Sequence, residues 1–211
     1  MRYAVVRAFI ALLLVVSGAQ AQTSNVAKAK AALNRAAESR AQRKMNDRYD
    51  PIFRKYTKRY FGPTFDWHYF KAQGFAESEL KPTAVSWVGA RGLMQLMPST
   101  FAGISSKRPE FASIDDPEWN IAAGIMHDRY LWKLWQDKVS DEEQHRFMFA
   151  SYNAGEGTIN RARGVALTKL GAPDWLNVER VAPTVTRWRF RETLGYVKRI
   201  DSTYQSMKVI R

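Results

Sequence analysis

The sequence predicts a mainly α-helical fold. Apolar residues recur at helical spacing in four separated stretches. No run alternates apolar and polar residues between turn residues, as a half-buried strand would. All seven Trp lie beyond Pro51, so the material for a core is gathered in one region.

Within that region, 65–80 places Trp67, Phe70, Gly74 and Glu77 three, four and three residues apart, one face of a helix. Pro82 is expected to close it, because Lys81 before a proline is pushed out of the α region. A second helix is expected over 120–135, with Ile121, Ile125, Leu131 and Trp135 and no proline. A third, over 141–152, carries Phe147, Phe149, Ala150 and Tyr152 and reads as buried. The last, over 187–207, sets Phe190, Leu194, Val197, Ile200 and Tyr204 at helical spacing. A functional site must then be built from helices and their connecting loops.

The N-terminus is of different material. Arg2 and Arg7 precede nine unbroken apolar residues, 8–16, and small residues ending in Ala19-Gln20-Ala21. This is the three-part pattern of a secretory signal peptide, and the apolar run is too short to span a bilayer, which takes about 20 residues. Residues 1–21 are therefore expected to be cleaved, leaving no stable membrane span in the mature protein. Residues 22–50 hold seven Ala and seven Lys or Arg, with no Trp or Phe. They read as a basic, partly helical lead-in with little to bury. Residues 51–211 are left as one domain.

Composition narrows the function classes. At 211 residues, 45% hydrophobic and 25% charged, the chain suits one globular domain with additions, not general disorder. The lack of cysteine excludes a disulfide framework, a thiolate zinc site and a cysteine nucleophile. Lys and Arg outnumber Asp and Glu, 33 to 20, giving +13, or +11 once Arg2 and Arg7 are removed. That balance favours an anionic partner without naming it. Export counts against nucleic acid. His68, His127 and His145 have no metal-ligand spacing, and His145, within a charged run, reads as solvated.

Glu77 is the first residue to suggest chemistry. A carboxylate on a core-facing stripe is costly unless paired or neutral. Alone, it fits either a buried ion pair with an arginine or a carboxylic acid whose proton affinity is raised by desolvation. Glu79, two residues on, must point off that face.

The residues after Glu77 favour the acid. Glu77-Ser78 is followed by Ala84-Val85-Ser86 and then by Gly89-Ala90-Arg91-Gly92-Leu93-Met94-Gln95-Leu96-Met97-Pro98-Ser99-Thr100. Further on come Asp116-Pro117 with Asn120, Ile121 and Gly124; Ala150-Ser151-Tyr152-Asn153-Ala154-Gly155; and Glu192-Thr193 with Tyr196-Val197. These four ordered elements closely resemble the soluble lytic transglycosylase family, over roughly residues 60–200. The resemblance implies the goose-type lysozyme-like fold and action on peptidoglycan glycan strands in the periplasm or cell wall. It makes Glu77 the single catalytic acid/base. Ser86, Gln95, Met97, Tyr152 and Asn153 match positions that line the sugar cleft, and Glu192 matches a support element. It implies no metal and no cofactor. A secretion or wall-machinery partner is left unnamed. His127 departs from the aromatic that relatives often carry there.

The resemblance also implies substrate assistance. Ordinary glycosidases use two carboxylates, whereas the matched cleft block offers one. The remaining candidates are Asp115, Asp116, which reads as a helix cap, and Glu192, which has many arginines to pair with. Of the methionines, Met94 reads as core and Met97 as cleft surface. Trp87, a loop aromatic, fits either sugar stacking or plain exposure. Two alternatives stay open: a hydrolytic muramidase on the same fold, and an inactive wall-binding module.

Overall fold

The computed structural model describes residues 28–36 and 47–209. The expected export segment, 1–21, lies outside the described residues. The chain divides into two units at Tyr49 and Asp50. In the first, residues 28–36 are helical and exposed.

Among its described residues the second unit holds eight α-helices: α1 (Asp50–Phe61), α2 (His68–Ser78), α3 (Pro98–Ser105), α4 (Pro117–Trp135), α5 (Asp141–Ala154), α6 (Glu156–Leu170), α7 (Trp175–Val181) and α8 (Phe190–Val209). Among the described residues the only extended pairing is two isolated bridges, Val85 with Arg91 and Arg91 with Leu96. No described helix is long and apolar enough to cross a membrane.

Helix α2 packs against α8, α1 against α4, and α5 against α4, α6 and α8. The core is aromatic: Phe53, Phe70, Phe147, Phe149 and Trp135 are all buried. Phe65 meets Trp132 edge-on, with ring centroids 5.2 Å apart, tying the approach to α2 onto α4. Trp135 Nε1 donates to Ser151 Oγ at 2.9 Å, so the largest core side chain has its one polar atom satisfied. Tyr69 stacks on Tyr204 with centroids 3.8 Å apart, and the Tyr204 hydroxyl donates to Asp66 Oδ2 at 3.1 Å. These contacts hold α8 along α2.

Several boundaries differ from expectation for identifiable reasons. Helix α2 ends at Ser78 and not at Pro82. Glu79 and Leu80 both adopt left-handed backbone, with φ of 54° and 57°, which turns the chain back. Leu80 is thereby buried at 3% exposure against Gly74, where an added Cβ would stand 2.8 Å from Leu80 Cδ2. Helix α4 starts earlier than expected, at Pro117, because Asp116 accepts from the backbone N–H groups of Glu118 and Trp119. Pro98 begins α3, since a first-turn proline gives up no hydrogen bond. Helix α8 starts at Phe190, after Arg187 in left-handed backbone at φ 56°. Helices α1, α3, α6 and α7 had no counterpart in the periodicity. The buried residues of α6 include two small alanines, Ala162 and Ala166, beside Ile159, which leaves a weak apolar stripe.

His145 corrects an expectation. Its side chain is 16% exposed, its Nε2 lies 3.4 Å from Asp201, and its ring packs on Tyr69. The charged run around it occupies the first turns of α5, and the helical turn aims His145 inward.

Candidate active site

Glu77 stands one residue from the end of α2 and keeps some exposure to solvent. From α8, the Tyr196 hydroxyl donates to Glu77 Oε1 at 2.6 Å. Burial of the carboxyl pushes its pKa up to about 7, against the pull of the Tyr196 hydrogen bond and the Arg199 charge, both of which favour the carboxylate. No described side chain bonds Oε2. The arrangement is a proton donor poised near neutrality, with one oxygen held and the other available. Glu79 points away as expected, exposed and paired with Lys81 at 2.7 Å.

The loop between α2 and α3 is pinned from three helices. Ser78 Oγ donates to the Leu93 carbonyl at 2.8 Å. Asn120 Oδ1 accepts from the Met94 N–H at 2.8 Å, while its Nδ2 donates to the Arg91 and Ile114 carbonyls. The Tyr152 hydroxyl donates to the Met94 carbonyl at 2.7 Å. Gly92 permits this approach: its φ is +79°, and a Cβ there would lie 2.3 Å from Asn120 Nδ2. Met94 is fully buried, so the core reading holds for it.

The other sequence-derived residues are distributed around this loop. Ser86 Oγ accepts from the Ala90 N–H at 3.0 Å and closes the turn that contains Gly89. Gln95, itself at φ 43°, donates from Nε2 to the Ala84 and Gly92 carbonyls. Its amide nitrogen thus shapes the loop, which leaves Oε1 as its remaining acceptor. Met97 is 39% exposed at the start of α3, and Trp87 is 87% exposed in the loop. Asn153 lines a cavity of about 220 Å³ with Thr158, Arg187, Trp188, Arg189 and Glu192. Glu192 is half exposed and paired with Arg189 at 3.2 Å. No described hydrogen bond or ion pair joins it to Glu77. Within the Glu192-Thr193-x-x-Tyr196 element, the tyrosine touches the acid.

Two residues near the acid were given no role from the sequence, although Tyr196 stands in its fourth matched element. Tyr196 is buried, 2% exposed, and burial with the adjacent Glu77 holds its phenol well above the usual range. Asp128 on α4 is 0% exposed, accepts from Gln73 at 3.3 Å, and lies within electrostatic reach of Glu77. Burial first, and Glu77 in addition, hold its carboxyl well above the usual carboxylate range. His127 keeps an aromatic contact despite its departure from the pattern, its ring 5.3 Å from that of Tyr152. Among the described residues no cluster of His, Asp and Glu is arranged to hold a metal ion.

The family model of the transglycosylase SLT domain matches residues 56–171, more than half of the chain. The chain belongs to that family. The SLT match ends before α8, so Tyr196 enters through the fold and not through the matched segment. Among curated proteins, the membrane-bound lytic murein transglycosylase F of Vibrio cholerae is 32% identical over 174 residues, covering 76% of this chain and 31% of that protein. Its namesake in Yersinia enterocolitica is 31% identical over 151 residues, covering 70% and 30%. The SLT chain spans about a third of the length of these relatives. Among solved structures, the 70 kDa soluble lytic transglycosylase of Escherichia coli superposes with a TM-score of 0.58 at 27% identity, covering 76% of this chain and 24% of that one. A complex of the 70-kDa soluble lytic transglycosylase with bulgecin A gives 0.61 at 27% identity, covering 78% and 25%. The mainly helical, lysozyme-like fold of these SLT proteins is the fold of this chain.

Proposed function

We propose that this SLT protein cleaves peptidoglycan glycan strands between N-acetylmuramic acid and N-acetylglucosamine without consuming water. The observation that carries the reading is Glu77: a half-buried carboxyl raised to about 7, held by Tyr196, at the head of the SLT loop. The relatives' names, lytic murein transglycosylase, point the same way.

Glu77 donates its proton to the glycosidic oxygen as the bond to the muramic anomeric carbon breaks. The 2-acetamido oxygen of the same sugar stabilises the positive charge left on that carbon. Glu77, now a carboxylate, takes the proton of the C6 hydroxyl as its oxygen bonds to the anomeric carbon. The product is a 1,6-anhydro ring, and Glu77 ends protonated as it began. In this reading Ser86, Gln95, Met97, Tyr152 and Asn153 line or shape the cleft, and Glu192, paired with Arg189, is a support element.

One acid suffices because the other carboxylates are committed. Asp115 pairs with Arg91 at 2.7 Å, Asp116 caps α4, and Glu192 pairs with Arg189. Asp128 is buried and held toward its neutral form, so it is no base for activating water. The place of action is the cell envelope, after export on residues 1–21.

Digestion of purified sacculi followed by mass spectrometry of the fragments tests the reading. Muramic ends carrying the 1,6-anhydro ring support it. Reducing muramic ends would replace it with the hydrolytic muramidase, and intact sacculi bound by the protein would replace it with a wall-binding module.

A further inference from the structure

Asp128 is a buried carboxylate for which the proposed chemistry has no use. Its side chain is 0% exposed, as is that of Gln73, whose Nε2 donates to Asp128 Oδ1 at 3.3 Å. Gln73 lies four residues before Glu77 on α2, so the two share a helix face. One atom on each member of the buried pair has no partner: Asp128 Oδ2 and Gln73 Oε1. With Asp128 ionised, both are acceptors. A buried charge beside a second unsatisfied acceptor is among the costliest arrangements in a core. A proton on Oδ2 resolves both deficits, because Oδ2 becomes a donor and Gln73 Oε1 is the acceptor in the pair that lacks one. Acid and amide then close a ring of two hydrogen bonds.

The surroundings favour that proton. The titratable groups acting around Asp128 are Glu77 from α2, Tyr152 from α5 and Tyr196 from α8, none of them a cation. His127, the adjacent residue on α4, is held toward its neutral form by burial. Arg199 on α8 acts on Glu77. We propose that Asp128 is a positioning residue for glycan cleavage, carried as a carboxylic acid whose proton closes the ring with Gln73 and locks the Glu77 face of α2 to α4. The proposal rests on the reading of Glu77 as the catalytic acid. It leaves Glu77 as the one carboxyl of the pair that changes charge during the cycle. An ionised Asp128 would set a second negative charge near Glu77 at the moment Glu77 has given up its proton.

Infrared spectroscopy of the whole chain in heavy water reads the proton without reference to activity. In Glu77→Gln at neutral pH, a carboxylic-acid carbonyl band is expected, and it disappears when Asp128→Asn is added. No such band in Glu77→Gln overturns the proposal. Kinetics on soluble glycan fragments read the positioning. Asp128→Leu is expected to lower kcat by roughly tenfold or more with KM little changed, as small misplacements of a reacting group do. Asp128→Asn recovers most of that loss, because an amide offers Gln73 the same donor and acceptor. An Asn variant as impaired as the Leu variant, or a Leu variant with undiminished kcat, also overturns it. If Asp128→Leu does not fold, the infrared pair and the Asn variant still decide. Activity surviving in Glu77→Gln would sink the functional reading, while the band would go on reporting Asp128.

Discussion

The Tyr196 hydroxyl donates to Glu77 Oε1 at 2.6 Å, joining the last helix to the candidate acid across 119 positions of sequence. The bond favours the ionised form of Glu77, so it opposes the effect of burial. It also fixes where the acid sits. Tyr196→Phe removes both actions. The expected outcome is a fall in kcat of roughly tenfold, the usual effect of losing a hydrogen bond to a charged group. The alkaline limb of the pH–rate profile should move upward, since Glu77 then holds its proton more tightly. A limb that stays in place or moves downward would show that Tyr196 does not tune the acid.

Glu77 should make the native state less stable as pH rises. Its carboxyl titrates near 4.5 when unconstrained and near about 7 in the folded protein. Between those values the folded state holds the extra proton, so stability is fully present below the lower value and lost through the upper one. Glu77→Gln cannot ionise and should escape this loss. Its Tm is expected to match wild type below pH 4.5 and to exceed it above pH 7, while turnover on sacculi falls by at least roughly 10²-fold. Thermal unfolding at both ends of the window checks the first statement, and fragment release checks the second.

Much of this arrangement was legible in local pattern, and the rest depends on tertiary contacts. The stripe of Trp67, Phe70, Gly74 and Glu77 placed the acid on an inward face from spacing alone, because α2 carries the last three and Trp67 is its N-cap. Asp116 read as a cap from its place before Pro117, and it caps. The choice of Glu192 within its motif had no such local support. Glu192 and Tyr196 lie on the same helix, and which one meets Glu77 is decided by how α8 lies on α2, through stacks such as Tyr69 on Tyr204. Asp128 gave no sign, since an acid in a long helix next to Arg129 reads as surface. A trace existed in Gln73, an amide four residues before Glu77 on the same face. Helix α6 was missed because buried alanines such as Ala162 and Ala166 barely register as an apolar stripe.

The basic lead-in is expected to act on the polymer and not on the chemistry. Residues 22–46 contain six Lys and Arg. Surface attraction to an anionic polymer is screened over about 8 Å at physiological ionic strength. Binding of the mature protein to sacculi should therefore weaken as salt rises, and deletion of 22–46 should flatten that dependence. The cut stops short of Asp50, which opens α1 and pairs with Lys71 at 2.6 Å. Cleavage of short soluble glycan fragments should persist in the truncated protein. Its loss would show that the lead-in belongs to the catalytic fold.

The loop that shapes the cleft depends on two close approaches that only glycine allows. At Gly92 a Cβ would stand 2.3 Å from Asn120 Nδ2, and the φ of +79° disfavours any other residue. At Gly124 a Cβ would stand 2.8 Å from Met94 Cβ, an atom with no rotamer freedom to retreat. The two sites differ in what must yield. Gly124→Ala pushes a buried methionine against a closed core, and overpacking of this kind destabilises by about 1–3 kcal/mol. Gly92→Ala displaces the Asn120 amide, which holds the Met94 N–H and the Arg91 and Ile114 carbonyls. It should therefore damage the cleft beyond its effect on stability. Asn120→Ala separates the two contributions, since it removes the same three hydrogen bonds without straining residue 92. If the clamp shapes the cleft, Gly92→Ala and Asn120→Ala should both lose activity at temperatures where they remain folded, whereas Gly124→Ala should lose mainly Tm. Full turnover in folded Asn120→Ala would show that the loop holds its shape without the clamp.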